Sequence, residues 1–286
     1  MKNDLHIHSN FSACANVENS WENILTKMQE KGLDRVAITD HNTCLFHVIN
    51  KFKDSSKIFD GEILPGMECD VVEDGIAFEL LAYNFDVIQM FNWAYEVYGT
   101  LEIRQTRMKD KLCKIAKESR LKVDDEMKFN GKVEYAHNFM FNNLRKSAEN
   151  DWLFEEYNIQ NSSDFYRLST SLKSFPMYLN MGEMWPNAEQ VVDAVHKAGG
   201  IVVLAHPFNY KPNVDIEKLL QLSLDKKIYG VEVYHPSCDN AKIEYLLNFA
   251  KKNNLIITGG SDYHGTDRHN ELGIKNIDEN QNNINI

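Results

Sequence analysis

Hydrophobic and polar positions divide the chain into three stretches. From residue 1 to 86, short apolar runs alternate with helical spacing. Val36 to Ile38 reads as a buried strand, and Ile63 to Cys69 and Phe78 to Tyr83 as two more. Trp21, Ile24, Leu25 and Met28 recur at i, i+3, i+4 and i+7, which predicts a helix over 20–31 that Gly32 stops. From about Val87 to Pro186 helical spacing takes over, as in Phe91 to Lys117 and Phe139 to Tyr157. Only Gly99 and Gly131 interrupt Val87 to Phe175, which contains no proline, so this stretch predicts a helical insertion rather than a linker. After Pro186 the alternation resumes: helix 187–198, strand Ile201 to Ala205, helix 216–226, strand Gly230 to Tyr234, helix 240–253 and strand Leu255 to Thr258. Strands alternating with helices of this length imply parallel βαβ units. The Asn-rich tail from Ile277 is expected to fray.

Composition narrows the class. At 43% hydrophobic and 26% charged, a chain of 286 residues can bury a real core. A net charge of −11 argues against an extended nucleic-acid surface, though not against a nucleotide held in a small metal-bearing pocket. The five cysteines (Cys14, Cys44, Cys69, Cys113, Cys238) are scattered and contain no CxxC, so they read as reduced thiols. Met1 to His6 begins no signal-type apolar stretch and no run approaches a membrane span, so the expectation is a cytoplasmic protein without a membrane partner.

The chemistry gathers where apolar runs end. His6 and His8 are two apart, so on a strand both imidazoles face one point, as a shared metal requires; alone they could be a surface pair near a terminus. His41 follows Thr39 and Asp40 at a strand exit, where Asp40 could orient a ligand histidine or cap a turn. Glu68 follows a Pro-Gly turn and could bridge two cations, or could be a solvated glutamate. His206 ends the most apolar strand, where burial is costly unless the ring is paired or metal-bound. Asp262 and His264 repeat the i, i+2 spacing beside Gly259 and Gly260. Separately each has a bland reading. Together they demand five coincidences, all at strand exits, and their N/O donor set suits Zn, Mn, Fe or Mg.

The ordered set His6-x-His8, Thr39-Asp40-His41, Glu68, Leu204-Ala205-His206-Pro207 and Ser261-Asp262-Tyr263-His264 resembles the PHP (polymerase and histidinol phosphatase) family. The resemblance implies an α/β fold, a distorted (β/α)7 barrel formed by 1–86 and 187–286, with 87–186 as a helical insertion that caps the substrate. It implies two or three divalent ions (Zn, Mn or Fe). His6, His8, Glu68 and Asp262 would hold one, Glu68 and His206 a second, His41 and His264 a third. Two departures stand out. Ala13 falls where the family carries a further ligand, with Cys14 beside it, and Glu79-Leu80-Leu81-Ala82-Tyr83 replaces a strand that often begins with histidine, so Glu79 becomes a candidate ligand at the second ion. In the insertion, Tyr135-Ala136-His137 stands where the family has Arg-x-His, leaving His137 with Arg104, Arg107 and Arg145 as candidates for phosphate contact. His235 and Tyr263 are expected to line the pocket, with His235 or a water held outside the ligand shell as the proton donor and Asp262 as a second catalytic residue.

The function expected is hydrolysis of a small phosphate monoester (a nucleotide, sugar phosphate or histidinol phosphate type) by a metal-activated hydroxide. The alternatives are a phosphodiesterase or exonuclease on short oligonucleotides, and a degenerate metal-binding regulatory module, for which Ala13 is the support.

Overall fold

A computed structural model of the chain describes residues 2–12, 19–132, 134–210, 214–265, 271–273 and 286. They fall into two compact units, Met1–Val97 with Pro186–Ile286, and Tyr98–Trp185.

In the first unit the apolar runs become β1 (Asn3–Ile7), β2 (Arg35–Ile38), β3 (Glu62–Glu73), β4 (Ile76–Tyr83), β5 (Ile201–Leu204), β6 (Gly230–Tyr234) and β7 (Ile256–Gly259). Each strand pairs with its neighbour in sequence. The His8 amide donates to the Tyr263 carbonyl and the Asp262 amide to the His6 carbonyl, both at 2.9 Å. The segment after β7 therefore pairs with the end of β1.

Most of the pairings are parallel, and β4 is the exception. It runs antiparallel to both β3 and β5. The cause is local: Asp74 and Gly75, at φ 51° and 78°, make the two-residue left-handed turn that a tight hairpin demands. Reversal brings the first half of β4 to the rim where the parallel strands end. Glu79 lies opposite Asp70 of β3, and its carbonyl accepts from the Ala205 amide at 3.1 Å, just past β5.

Helices cover the sheet. The apolar stripe of α1 (Trp21–Lys31) packs into a cluster with Ile7, Val36, Ile38 and Phe46. Fully burying side chains of this size contributes about 1.5–3 kcal/mol each. Ser20 caps α1 by accepting from the Asn23 amide, and Gly32 closes it at φ 64°. Helix α2 (Leu45–Asn50) follows β2. The long helical pattern expected from Phe91 to Lys117 is two helices. α3 (Val87–Val97) belongs to the first unit and packs on α2 and on α8 (Ala188–Lys197). Gly99, at φ 74°, breaks the pattern, and Thr100 caps the next helix. A capping box between Asn187 and Gln190 starts α8, while α9 (Ile216–Asp225) and α10 (Asn240–Asn253) link the last three strands.

The second unit holds α4 (Leu101–Glu118), α5 (Ala136–Leu144), α6 (Asp151–Glu156) and α7 (Ser162–Ser171). Phe139 to Tyr157, expected as one helix, is split between α5 and α6 by a single 3₁₀ turn at Ala148–Asn150. Within the unit α5 packs on both α4 and α7. No helix among the described residues is long and apolar enough to cross a membrane.

Candidate metal centre

The ends of β1, β2, β5 and β7 and the middles of β3 and β4 bring the candidate ligands to one place. Glu68, fully buried, is the hub. Its Oε2 lies 3.4 Å from His6 Nε2, 3.2 Å from His8 Nε2 and 3.1 Å from His41 Nδ1, while Oε1 lies 3.0 Å from His206 Nε2. Asp262 Oδ1 faces the rings of His6 and His8, 3.6 Å from His6 Nε2 and 3.3 Å from His8 Nε2. Glu79 Oε2 stands 3.6 Å from His206 Nε2. Close approach of β1 and β7 makes this possible. A Cβ on Gly260 would lie 2.2 Å from His6 Cβ and 2.4 Å from its backbone nitrogen, so only glycine lets the two strands meet here. Asp262 and His206 hold left-handed backbone, at φ 50° and 20°, conformations that non-glycine residues adopt at a cost and that concentrate at functional sites.

Buried partners aim each ring. His6 Nδ1 lies 3.0 Å from Glu232 Oε1, and the other Glu232 oxygen accepts from the His206 amide at 2.8 Å. His8 Nδ1 meets Ser12 Oγ at 3.1 Å, and that hydroxyl donates to Asp40 Oδ1 at 2.7 Å. His264 Nδ1 donates to the Asp262 carbonyl at 2.8 Å. In all three the outer nitrogen spends its proton on a protein acceptor, so the inner nitrogen presents a lone pair, as ligand histidines generally do. His235 differs. The Ser237 amide donates to its Nδ1 at 3.1 Å, which places the proton of the neutral ring on Nε2, 3.5 Å from Asp262 Oδ2.

The electrostatics describe a centre balanced by protons. Burial opposes charge on His6, but Glu232 and Glu68 outweigh it and hold its pKa well above the ordinary range. The same contest, won by Asp262 and Glu68, raises His8 to about 9, and Glu68 with Glu79 raises His206 to about 9. Against burial, His41 and His6 hold Glu68 well below the usual carboxylate range, and His235 and His8 do so for Asp262. Glu79 is pushed up to about 8 by burial and by the Glu68 charge. Burial and the nearby His8 drive His264 down to about 3.

A divalent cation fits this arrangement. His6 Nε2, His8 Nε2 and Glu68 Oε2 are buried, converge, and have no hydrogen-bond partner among the described residues; such atoms are costly unless something satisfies them. Among the described residues, ligand atoms gather within 4.8 Å in four sets: His6, His8 and Glu68; Glu68, Glu79 and His206; His8, His41 and His264; and His41, Asp70 and Glu79. Neutral histidine and carboxylate donors without sulfur suit Zn, Mn or Fe.

Tyr263, expected to line the pocket, packs in the apolar cluster against Ile7 and α1, with its hydroxyl accepting from Lys27 Nζ at 2.9 Å. In the second unit Arg104 is buried and donates to the Gly99 carbonyl at 2.9 Å, whereas Arg107 is exposed. Arg145 donates to the Ile159 carbonyl and lies 4.1 Å over the Phe154 ring. His137 is buried edge-on against Phe165 and Tyr166, and burial drives its pKa to about 3. Ala13 and Cys14 lie outside the described residues.

Sequence reasoning missed Glu232, Asp70, Ser12 and Tyr210, whose hydroxyl donates to Glu79 Oε2 at 3.2 Å. Glu232 left a legible signal: a carboxylate inside the apolar run Gly230 to Tyr234 must be paired to be buried. Ser12 and Tyr210 left none, because both act through loops whose path the pattern does not carry.

The model of the PHP domain family matches residues 4–203. A protein of Haemophilus influenzae named 5'-3' exoribonuclease is 25% identical, covering 97% of this chain and 94% of its own. One of Eggerthella lenta named phosphoribosyl 1,2-cyclic phosphate 1,2-diphosphodiesterase is 24% identical, covering 93% and 95%. Among solved structures, one from Bifidobacterium adolescentis, described as a metal-dependent phosphoesterase, superposes with a TM-score of 0.65 at 23% identity, covering 96% of this chain and 92% of that one.

Proposed function

The chain belongs to the PHP domain family, and from that membership and its site we propose that it is a metal-dependent phosphoesterase that cleaves phosphodiester bonds in short oligoribonucleotides. The observation that carries the reading is Glu68, one carboxylate approached by four imidazoles at 3.0–3.4 Å, a bridging arrangement for neighbouring cations. His6, His8, Glu68 and Asp262 would hold one ion, and Glu68, Glu79 and His206 a second. His41 stands between two sets, one with His8 and His264 and one with Asp70 and Glu79. Bound there, divalent ions would acidify water and neutralise charge on a phosphoryl group.

The remaining chemistry falls to the protein. His235 offers Nε2–H toward the site, because Ser237 occupies its Nδ1. A ring in that tautomer is a poor ligand whose Nε2–H donates a hydrogen bond to the departing oxygen; in its imidazolium form, with Nδ1–H donated to Ser237 Oγ, His235 would protonate that oxygen and return to the neutral ring. Asp262, 3.5 Å away, keeps the ring in place. Glu232 and the Ser12–Asp40 pair fix the orientation of the ligand rings.

The choice of a diester over the monoester expected from sequence is supported by the names of the relatives, which describe an exoribonuclease and a cyclic phosphodiesterase. The net charge of −11 favours a substrate of few phosphates. The test is a short 5'-phosphorylated RNA, run beside a panel of nucleotides, sugar phosphates and histidinol phosphate, with Mn²⁺ added. Mononucleotide release from the RNA supports the proposal. Orthophosphate from the panel with intact RNA returns the monoester reading, and no release from either removes both.

A further inference from the structure

Three ligand atoms gather on the β3–β4 face beside Glu68. Asp70 follows Glu68 by two residues, so both carboxylates share one face of β3. Its partner across the strands is Glu79, and His41, bridged to Glu68 just past β2, reaches the same place. One ligand atom from each of His41, Asp70 and Glu79 lies within 4.8 Å of the other two.

Two carboxylates directly opposite on an antiparallel pair repel. These two are nevertheless held inward. The Asn42 amide donates to Asp70 Oδ2 and Asn42 Oδ1 accepts from the Asp70 amide at 2.9 Å. Tyr210 donates to Glu79 Oε2 at 3.2 Å and accepts from the Glu79 amide at 2.9 Å. A separate observation marks the spot. Glu68 Oε2 is buried without a hydrogen-bond partner among the described residues, and it points at His41 Nδ1 from 3.1 Å.

We propose that His41, Asp70 and Glu79 form a site for a hard divalent cation, Mn²⁺, so that His41 serves this ion instead of joining His8 and His264. Two carboxylates and one imidazole make an oxygen-rich set, which suits Mn²⁺ better than Zn²⁺. Glu79 has two oxygens, so it can face this ion and the one shared with Glu68 and His206. The inference rests on the multi-ion centre of the proposed function.

Mn²⁺ binding to the metal-stripped full chain tests it, read from the loss of the free-ion electron paramagnetic resonance signal during titration. Wild type, Asp70→Asn, His264→Ala and Glu68→Gln are compared, with circular dichroism confirming that each is folded. The expected result is that Asp70→Asn weakens one Mn²⁺ at least about tenfold, while His264→Ala leaves the affinity of that ion unchanged. An unchanged isotherm for Asp70→Asn, or loss of an ion only in His264→Ala, overturns the inference. In that case continued Glu68-dependent binding leaves the proposed function standing. No Mn²⁺ binding by wild type overturns both. Should Asp70→Asn fail to fold, Asp70→Ser takes its place, read on the same scale.

Discussion

Glu232→Gln removes one charge and almost no volume from the interior of β6, and its effect can be worked from two distances. The native carboxylate accepts twice, from His6 Nδ1 at 3.0 Å and from the His206 amide at 2.8 Å. Glutamine accepts with one end only. If its oxygen serves the His206 amide, its NH₂ faces His6, and the ring must accept at Nδ1. The proton then moves to His6 Nε2, the atom that faces Glu68 at 3.4 Å and is needed as a lone pair. Loss of such a supporting partner costs 10–100-fold in metal affinity, about 1.4–2.7 kcal/mol. If the oxygen serves His6 instead, two donors meet at the His206 amide, and an unsatisfied buried amide costs about 1–3 kcal/mol of stability. The variant therefore loses metal affinity, fold stability, or some of each. Chelator competition measures the first and denaturant unfolding of the metal-free protein the second. Imidazole nitrogen shifts report the His6 tautomer, and its pKa falls from its raised position because Glu232 is the leading cause of the rise. Native affinity, native stability and an unmoved His6 tautomer in the same variant would falsify the orienting role of Glu232.

Three further outcomes are expected. Gly260→Ala forces a Cβ to 2.2 Å from His6 Cβ, so β1 and β7 must part; a loss of about 3 kcal/mol or more in urea unfolding is expected, and a native midpoint refutes the close approach. Ser12→Ala breaks the path from His8 Nδ1 to Asp40 and weakens metal binding about tenfold by chelator competition; retained affinity removes Ser12 from the site. His8 and His206 sit at about 9 in the folded metal-free protein against 6.5 unfolded. Because these pKa values are raised, the stabilisation is complete below about pH 6.5 and drains as pH climbs through 9, by at most about 3 kcal/mol per ring. Thermal melts of the metal-free protein should fall across that window. Calorimetry in buffers of differing ionisation enthalpy should show protons released on Mn²⁺ binding there, and a flat melting profile with no proton release would count against both values.

What the sequence made legible follows from the range of each signal. Strand ends that carry His6, His8, His41, His206, Asp262 and His264 were readable because a period-two or apolar run and its terminal residue are contiguous. Helix ends were readable for the same reason: Ser20, Asn187 and Gly32 act on residues within four positions. The reversal of β4 was carried by Asp74 and Gly75, a local signal overshadowed by the alternation around it. The break at Gly99 was equally local, a single left-handed residue within a run of helix formers. Glu232, Asp70 and Tyr210 needed distant partners, His6, Glu79 and Glu79 again, separated by 226, 9 and 131 positions. A register or a loop path supplies those pairings, and neither is written in periodicity.

Glu79 shows why the antiparallel strand matters to the chemistry and not only to the topology. In a parallel β4 the rim residue would come from the strand's C-terminal end, at Ala82 or Tyr83, and Glu79 would sit below it. Reversal puts Tyr83 deep instead, where its hydroxyl donates to the Leu5 carbonyl at 2.7 Å, and lifts Glu79 to face His206 and Asp70. A carboxylate there is costly while nothing neutralises it, which is why burial and Glu68 push it up to about 8. The hairpin that creates this cost also fixes Glu79 against Tyr210, so the side chain cannot relieve it by turning outward without giving up that contact. An acid held inward at such cost is what a cation site needs before its ion arrives, and the sheet's single reversed pairing partner is what provides it.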